Sequence, residues 1–129
     1  MTKELMDKAA TALASAKLLL EPGETDGATN RAYYAMFEAA TASLSLAGFG
    51  GSPPAFKSHG GLIGGFCRHL VQPGHLPSEL GRSLNRVHEL RLTADYIAEL
   101  VPIDKAKAAI AEAETFVASV QQLLAQPKT

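Results

Sequence analysis

The sequence has little of what several large protein classes require. Its single cysteine, Cys67, excludes an internal disulfide and a cluster of thiolate metal ligands. No apolar run extends beyond a few residues, so no segment is long enough to span a membrane. The N-terminus carries no apolar signal region. These absences predict a protein without a membrane segment in a reducing compartment, which we expect to be the cytoplasm.

Residues that favour strands are scarce as well. The 129 residues include 22 Ala and 17 Leu but only 5 Val and 4 Ile. Ala and Leu are good helix formers, whereas β-branched residues are enriched in strands. The formal net charge is −1, from 12 basic and 13 acidic residues, so no overall field attracts the chain to nucleic acid. The composition predicts one all-α domain over residues 1–129.

Apolar residues recur at helical spacing in four long stretches, with turn residues between them. A shorter, glycine-rich stretch at residues 58–71 lies between the second and the third of these. The residues that start or stop the predicted helices are Pro22, Gly23, Thr25 or Asp26, Gly48, Ser58, Pro77, Ser78 and Pro102. Thr25 or Asp26 is the predicted N-cap of the second helix. We therefore predict a single up-and-down bundle of four long helices plus one short irregular helix.

The last predicted helix has the most regular apolar stripe. Its members follow steps of three and four residues, which is the spacing of a bundle seam. They are Ala106, Ile110, Ala113, Val117, Val120 and Leu124. We expect this stripe to face the core.

The signatures of metal and cofactor sites are absent. No Glu-x-x-His and no His-Glu-x-x-His sequence occurs, and Cys67 has no second thiol for a zinc site. The glycine patterns of phosphate-binding and dinucleotide-binding loops are also missing. The sequence therefore predicts neither a metal nor a cofactor.

Glycine, proline and histidine are concentrated in one part of the chain. Eight of 11 Gly and four of 7 Pro lie within residues 48–77, and all four His lie within residues 59–88. Between Lys57 and Arg91 there are five Lys or Arg and two Glu, which is the only basic excess. We expect the functional site here, as a modest patch for RNA or a nucleotide, with a solvated helix face as the alternative.

Two of the predicted helices place polar residues at steps of three and four, so that each set shares one face. The sets are Arg31, Tyr34 and Glu38 in the second helix, and His88, Arg91 and Asp95 in the third long helix. The first set could hold an aromatic ring between a cation and a carboxylate. The alternative is an exposed ion pair, which stabilises little.

The segment around Ser58 has the composition of an anion site. If Ser58 caps a short helix, the free amides of its first turn point outward, and Lys57 and His59 add donors beside them. The glycines that follow let an anion approach the backbone closely. A phosphate fits this chemistry, and a capped turn with a structural His59 is the alternative.

Three strings of residues, in this order, resemble the HEPN domain family, the "higher eukaryotes and prokaryotes nucleotide-binding" domain. They are NRAYYAMF at 30–37, KSHGGLI at 57–63 and LRLTADY at 90–96. The likeness covers nearly the whole chain. It implies a helical bundle that forms a homodimer with a cleft between subunits. Small prokaryotic members are often encoded beside a minimal nucleotidyltransferase, as toxin–antitoxin or nucleotide-handling pairs.

The resemblance also implies an activity, because many HEPN proteins are metal-independent endoribonucleases with an Arg-x(4–6)-His motif. Arg82 and His88, with five residues between them, fit this motif and are the candidate catalytic residues. Arg68 and His75 fit the count too, but Pro73-Gly74 interrupts them. On a regular helix Arg82 and His88 lie about 120° apart, so they would meet through long side chains, a distortion or the second subunit.

The resulting hypothesis is a HEPN homodimer that binds RNA or a nucleotide phosphate in a cleft of the second to fourth helices. The candidate binding residues are Lys57, Ser58, His59, Arg91, Asp95, Tyr96, Arg31 and Tyr34. The alternative is a non-catalytic helical module that binds or positions a nucleotidyltransferase partner. A plain structural bundle is the third possibility.

Overall fold

The computed structural model describes residues 2–48, 58–96 and 99–126, and these ranges contain helices and turns without a strand. A π-helical turn, Cys67–Val71, continues the short third helix. The α helices are α1 (Thr2–Leu20), α2 (Thr25–Leu46), α3 (His59–Phe66), α4 (Ser78–Tyr96) and α5 (Ile103–Leu124). The predicted all-α bundle of four long helices plus one short irregular helix is confirmed.

The helix ends follow the turn residues, with one difference at the start of α2. Thr25 or Asp26 was the predicted N-cap, and this prediction is wrong because the cap position is Glu24, whose side chain makes no capping bond. A carboxylate oxygen of Asp26 instead accepts a hydrogen bond from the backbone N–H of Val101, at 2.9 Å. Asp26 therefore ties the start of α2 to the segment that precedes α5.

Helix α2 is the centre of the bundle, since it contacts each of the other four α helices. Many of its inward positions are alanine, and α1 presents alanines to it in turn. Small side chains on both faces let the two backbones approach closely. The predicted stripe of α5 is buried apart from its last member, Leu124, which is half-buried. The core therefore lies between α2 and the helices around it.

A second close approach joins α4 to the π-helical turn. A Cβ atom added at Gly81 would lie 2.9 Å from the sulfur of Cys67, which is closer than real Cβ contacts. A side chain at this position would therefore require Cys67 or α4 to shift. This contact joins the first turn of α4 to the π-helical turn that follows α3.

None of the helices in the described ranges combines the length and apolar character needed to cross a lipid bilayer.

Candidate functional site

Tyr33 of α2 is the buried centre of a group of aromatic and cationic side chains. It is 0% exposed, and its hydroxyl lies 2.6 Å from Nδ1 of His59 at the start of α3. From α4, the ring centroid of His88 lies 5.1 Å from that of Tyr33, and the guanidinium carbon of Arg91 lies 5.2 Å from it. We call these four residues the Tyr33 cluster. Three helices that are distant in sequence meet in it.

The direction of the hydrogen bond between Tyr33 and His59 follows from burial. Among the described residues, His59 is the only partner of the Tyr33 hydroxyl. If Nδ1 of His59 were the donor, the hydroxyl proton would be buried without an acceptor, which is costly. Burial also raises the pKa of Tyr33, which keeps the hydroxyl protonated. Tyr33 therefore donates to Nδ1, and the ring proton of neutral His59 is assigned to Nε2.

The two imidazoles of the cluster are stacked. The ring centroids of His59 and His88 are 5.8 Å apart, and their planes differ by 10°. Burial, followed by the positive charge of Arg91, lowers the pKa of both side chains below their ordinary value. The proximity of His88 lowers the pKa of His59 further. The negative charge of Glu89 acts in the opposite direction on His88 and raises its pKa. The neutral forms, which can accept as well as donate protons, are thereby favoured.

Arg91 is the cation of the cluster, and its side chain is 14% exposed. Its guanidinium carbon lies over the rings of Tyr33 and Tyr34, at 5.2 and 5.6 Å from their centroids. One terminal nitrogen lies 3.4 Å from a carboxylate oxygen of Asp95. The other two nitrogens, Nε and Nη1, are buried without a hydrogen-bond partner among the described residues, and so is Nδ1 of His88.

The start of α3 lies beside this cluster. Ser58 has extended backbone angles and its Oγ accepts a hydrogen bond from the N–H of Gly61 at 2.9 Å, so the predicted cap is present. The backbone amides of His59 and Gly60 belong to the first turn of α3, so they have no acceptor within the helix. The ring of His59 projects from this turn into the cluster and contacts Phe37, with centroids 4.9 Å apart.

The predicted face of α2 with Arg31, Tyr34 and Glu38 lines a groove against α1. The groove has a volume of about 370 Å³ and we call it the α1–α2 groove. Its remaining lining comes from α1, namely Asp7, Lys8, Thr11, Ala12 and Ser15. Tyr34 also contacts the Tyr33 cluster, since its ring centroid lies 6.1 Å from that of His59. The groove and the cluster are therefore adjacent.

Arg82, the other candidate catalytic residue, lies in a different setting. Its Nε lies 3.1 Å from a carboxylate oxygen of Glu79, and its side chain is 63% exposed. Arg86 joins the same network, with contacts to Glu79 at 2.6 Å and to Glu112 of α5. The structure thus places Arg82 in an ion-pair network between α4 and α5, while His88 belongs to the Tyr33 cluster.

Two candidate binding residues lie outside what the structure describes. Lys57 precedes the described range that begins at Ser58, and of Tyr96 only the backbone is described. Tyr33 and Phe37 are not among the candidate residues that the sequence indicated. Both lie in the string NRAYYAMF, but the steps of three and four from Arg31 select Tyr34 and skip its neighbour. Within the described residues, no group of three or more His, Cys, Asp or Glu is arranged to hold a metal ion.

Comparison with known proteins agrees with the resemblance found in the sequence. The family model of the HEPN domain matches residues 2–123. A UPF0332 protein of Thermotoga maritima is 36% identical, over 91% of this chain and 86% of its own length. A UPF0332 protein of Gloeobacter violaceus is 38% identical, over 73% of this chain and 71% of its own. A protein of Methanocaldococcus jannaschii named "Putative toxin MJ0605" is 33% identical, over 93% of this chain and 86% of its own length.

Proposed function

The chain belongs to the HEPN domain family, and from this premise we propose that its Tyr33 cluster binds a phosphate group of RNA or of a nucleotide. The observation that carries the proposal is the guanidinium of Arg91, two of whose nitrogens are buried with no acceptor among the described residues. Aromatic rings hold this cation in place but accept no strong hydrogen bonds. An anion that enters the cluster satisfies these donors.

Two further features add donors at the same place. The Nε2–H of His59 is free to donate because the hydroxyl of Tyr33 occupies Nδ1. The first amides of α3 carry the positive end of the helix dipole, which favours a phosphate. Lys57, which precedes the cap in sequence, supplies a further cation in this proposal.

The binding proposal is tested with a fluorescent single-stranded RNA, by measuring anisotropy over a range of salt concentrations. We expect the affinity to fall as salt rises, because phosphate contacts release counterions. Arg91→Ala should weaken binding about 10-fold to 100-fold, from the roughly 1.5–3 kcal/mol of a charge-assisted hydrogen bond. Arg82→Ala removes the same charge from the exposed pair with Glu79 and should leave binding within about twofold. Equal losses in both variants would refute this assignment.

The same groups suit metal-independent cleavage of RNA. In this mechanism one imidazole takes the proton from a ribose 2′-hydroxyl, whose oxygen attacks the neighbouring phosphorus. The bond from phosphorus to the 5′-oxygen then breaks, and the second imidazole protonates that oxygen. We assign the base to His88, whose Nδ1 is unpartnered among the described residues, and the acid to the protonated form of His59, which gives up its Nε2 proton and returns to the neutral ring that Tyr33 stabilises. Arg91 stabilises the charge that develops on the phosphate.

Cleavage is tested by incubating the purified protein with transfer RNA and messenger RNA in the presence of a chelator. The products should end in a 2′,3′-cyclic phosphate and begin with a 5′-hydroxyl. His59→Ala and His88→Ala should each lower the rate at least about 100-fold, the usual contribution of a general acid or base. Intact RNA with the wild-type protein would remove the enzymatic proposal. Loss of cleavage in Arg82→Ala, but not in Arg91→Ala, would show that Arg82, and not Arg91, stabilises the charge on the phosphate, as the Arg82–His88 motif implies.

We further propose that the protein acts as a homodimeric, toxin-type component beside a minimal nucleotidyltransferase. The name "Putative toxin MJ0605" of one relative supports the toxin part of this proposal. Induced expression in a bacterial host should arrest growth, and His88→Ala should restore it. Light scattering should give twice the 13.6 kDa of one chain. Unchanged growth together with a monomer mass would contradict this assignment.

A further inference from the structure

The α1–α2 groove adjoins the Tyr33 cluster through one residue, Tyr34. Its ring lines the groove and also lies under the guanidinium of Arg91, with 5.6 Å between the guanidinium carbon and the ring centroid. A nucleotide whose phosphate is held by Arg91 therefore has its sugar and base within reach of the groove. The volume of about 370 Å³ falls in the range of small-ligand sites.

Glu38 is the groove's available carboxylate. It is half-buried on α2, and no hydrogen bond or ion pair joins it to another described residue. The groove's other acid, Asp7, is already paired with Lys3 at 3.3 Å. A half-buried carboxylate is costly to leave without donors. Burial accordingly raises the pKa of Glu38, and the positive charge of Lys8 opposes this. A ligand that brings two donors to Glu38 offsets this cost.

We propose that the α1–α2 groove binds the base of the nucleotide whose phosphate lies at the Tyr33 cluster, and that Glu38 selects guanine there. The Watson–Crick edge of guanine presents two adjacent donors, N1–H and the N2 amino group, which match the two oxygens of a carboxylate. Adenine presents an acceptor at N1, which a carboxylate repels. Cytosine and uracil each place an acceptor beside their donor. Guanine is therefore the only common base that gives Glu38 two neighbouring hydrogen bonds.

The other groove residues suit the same ligand. The Tyr34 ring offers a surface for a base, and stacking of this kind is how single-stranded RNA bases are held by proteins. Arg31 is exposed at the groove and has no ion pair among the described residues, so it can approach the sugar–phosphate chain. This inference rests on the proposed function, since the phosphate at Arg91 fixes where the base lies.

The test compares guanosine, inosine and adenosine 5′-monophosphate by isothermal titration calorimetry with the full-length protein. Inosine lacks only the N2 amino group of guanosine, so it keeps one of the two donors. We expect guanosine monophosphate to bind about 10-fold more tightly than inosine monophosphate, and adenosine monophosphate to bind most weakly, since a bidentate pair discriminates by about 1–3 kcal/mol.

Three variants separate base selection from other effects. Glu38→Gln offers one acceptor and one donor, so the preference for guanosine over adenosine should shrink to about twofold. Glu114→Gln is the matched control, because it removes a carboxylate from the exposed pair with Lys17 at 3.4 Å, and it should leave the preference intact. Thr11→Trp fills the groove from an exposed position on α1 and should abolish the preference while RNA binding remains.

The outcomes distinguish this inference from the proposed function. If the wild-type protein binds all three nucleotides equally and Arg91→Ala abolishes binding, the phosphate site stands and the guanine site is refuted. If Glu38→Gln weakens all three nucleotides by the same factor, Glu38 does not read the base and the inference is also refuted. If neither RNA nor any nucleotide binds the wild-type protein, the proposed function fails and the inference falls with it.

Discussion

Replacing Tyr33 by phenylalanine removes one atom from the centre of the site and leaves the ring contacts in place. The lost hydroxyl donates to Nδ1 of neutral His59, so it stabilises the neutral imidazole relative to the protonated one. A hydrogen bond of this kind contributes about 0.5–1.5 kcal/mol, and one pKa unit corresponds to about 1.36 kcal/mol. The pKa of His59 should therefore rise by about 0.4–1.1 units in Tyr33→Phe.

The assay is a pH titration of the histidine Cε1–H resonances by NMR. Tyr34→Phe is the matched control, because Tyr34 contacts His59 only through its ring and has no hydrogen bond to it. We expect the pKa of His59 to move in the first variant and to stay within about 0.2 units of the wild-type value in the second. A lower pKa in Tyr33→Phe would show that Nδ1 of His59 is the donor, which would reverse the assigned tautomer. An unchanged pKa would show that the hydroxyl does not stabilise the neutral ring of His59.

Three further predictions concern stability, measured by urea unfolding. Because both imidazole pKa values in the Tyr33 cluster are lowered by folding, the unfolded chain binds more protons below pH 6.5. The free energy of unfolding should therefore rise with pH up to about 6.5. The rise is at most about 1.4 kcal/mol per pH unit for each imidazole, and replacing either imidazole by glutamine should reduce this slope. Ser58→Ala should lower the free energy of unfolding by about 1 kcal/mol, because the capping hydrogen bond to Gly61 is lost. An unchanged free energy of unfolding would mean that α3 begins at another residue. Gly81→Ala should lower the free energy of unfolding by about 1–3 kcal/mol, because the new Cβ meets the sulfur of Cys67. Gly64→Ala has open space around its Cβ and should raise the free energy of unfolding by up to about 1 kcal/mol.

The helices were predictable because their signals are local. Apolar steps of three and four, with Pro and Gly between the stretches, identified all four long helices. The N-cap of α2 was not predictable in this way. Asp26 has the side chain of a good cap, but a backbone N–H from the segment before α5, 75 residues away, takes its carboxylate instead. The residues around Asp26 in sequence do not indicate a contact with a residue so far along the chain.

The site was predictable only as a list of side chains. The sequence indicates His59 through the anion segment at Ser58, His88 through the motif that the resemblance implies, and Arg91 through a shared helix face. Their convergence depends on how α3 and α4 pack against α2. Tyr33, which joins them, is fully buried and belongs to the core pattern of α2. In sequence a buried tyrosine cannot be told from a packing residue. Its hydroxyl gains a role only when a partner arrives from another helix.

Arg91 allows a last prediction that separates stability from function. Its contacts with Tyr33 and Tyr34 contribute about 0.5–1 kcal/mol each, and its pair with the half-exposed Asp95 contributes about 0–1 kcal/mol. Against this, two buried nitrogens without acceptors cost about 1–3 kcal/mol each. Arg91→Met keeps an unbranched apolar stem, whose sulfur can pack against the rings, but removes those donors. We expect the free energy of unfolding to stay level or to rise by about 1 kcal/mol while RNA binding falls at least about 10-fold. A clear loss of stability in this variant would mean that Arg91 holds the fold rather than a ligand, because an arginine kept for structure has its donors satisfied within the protein.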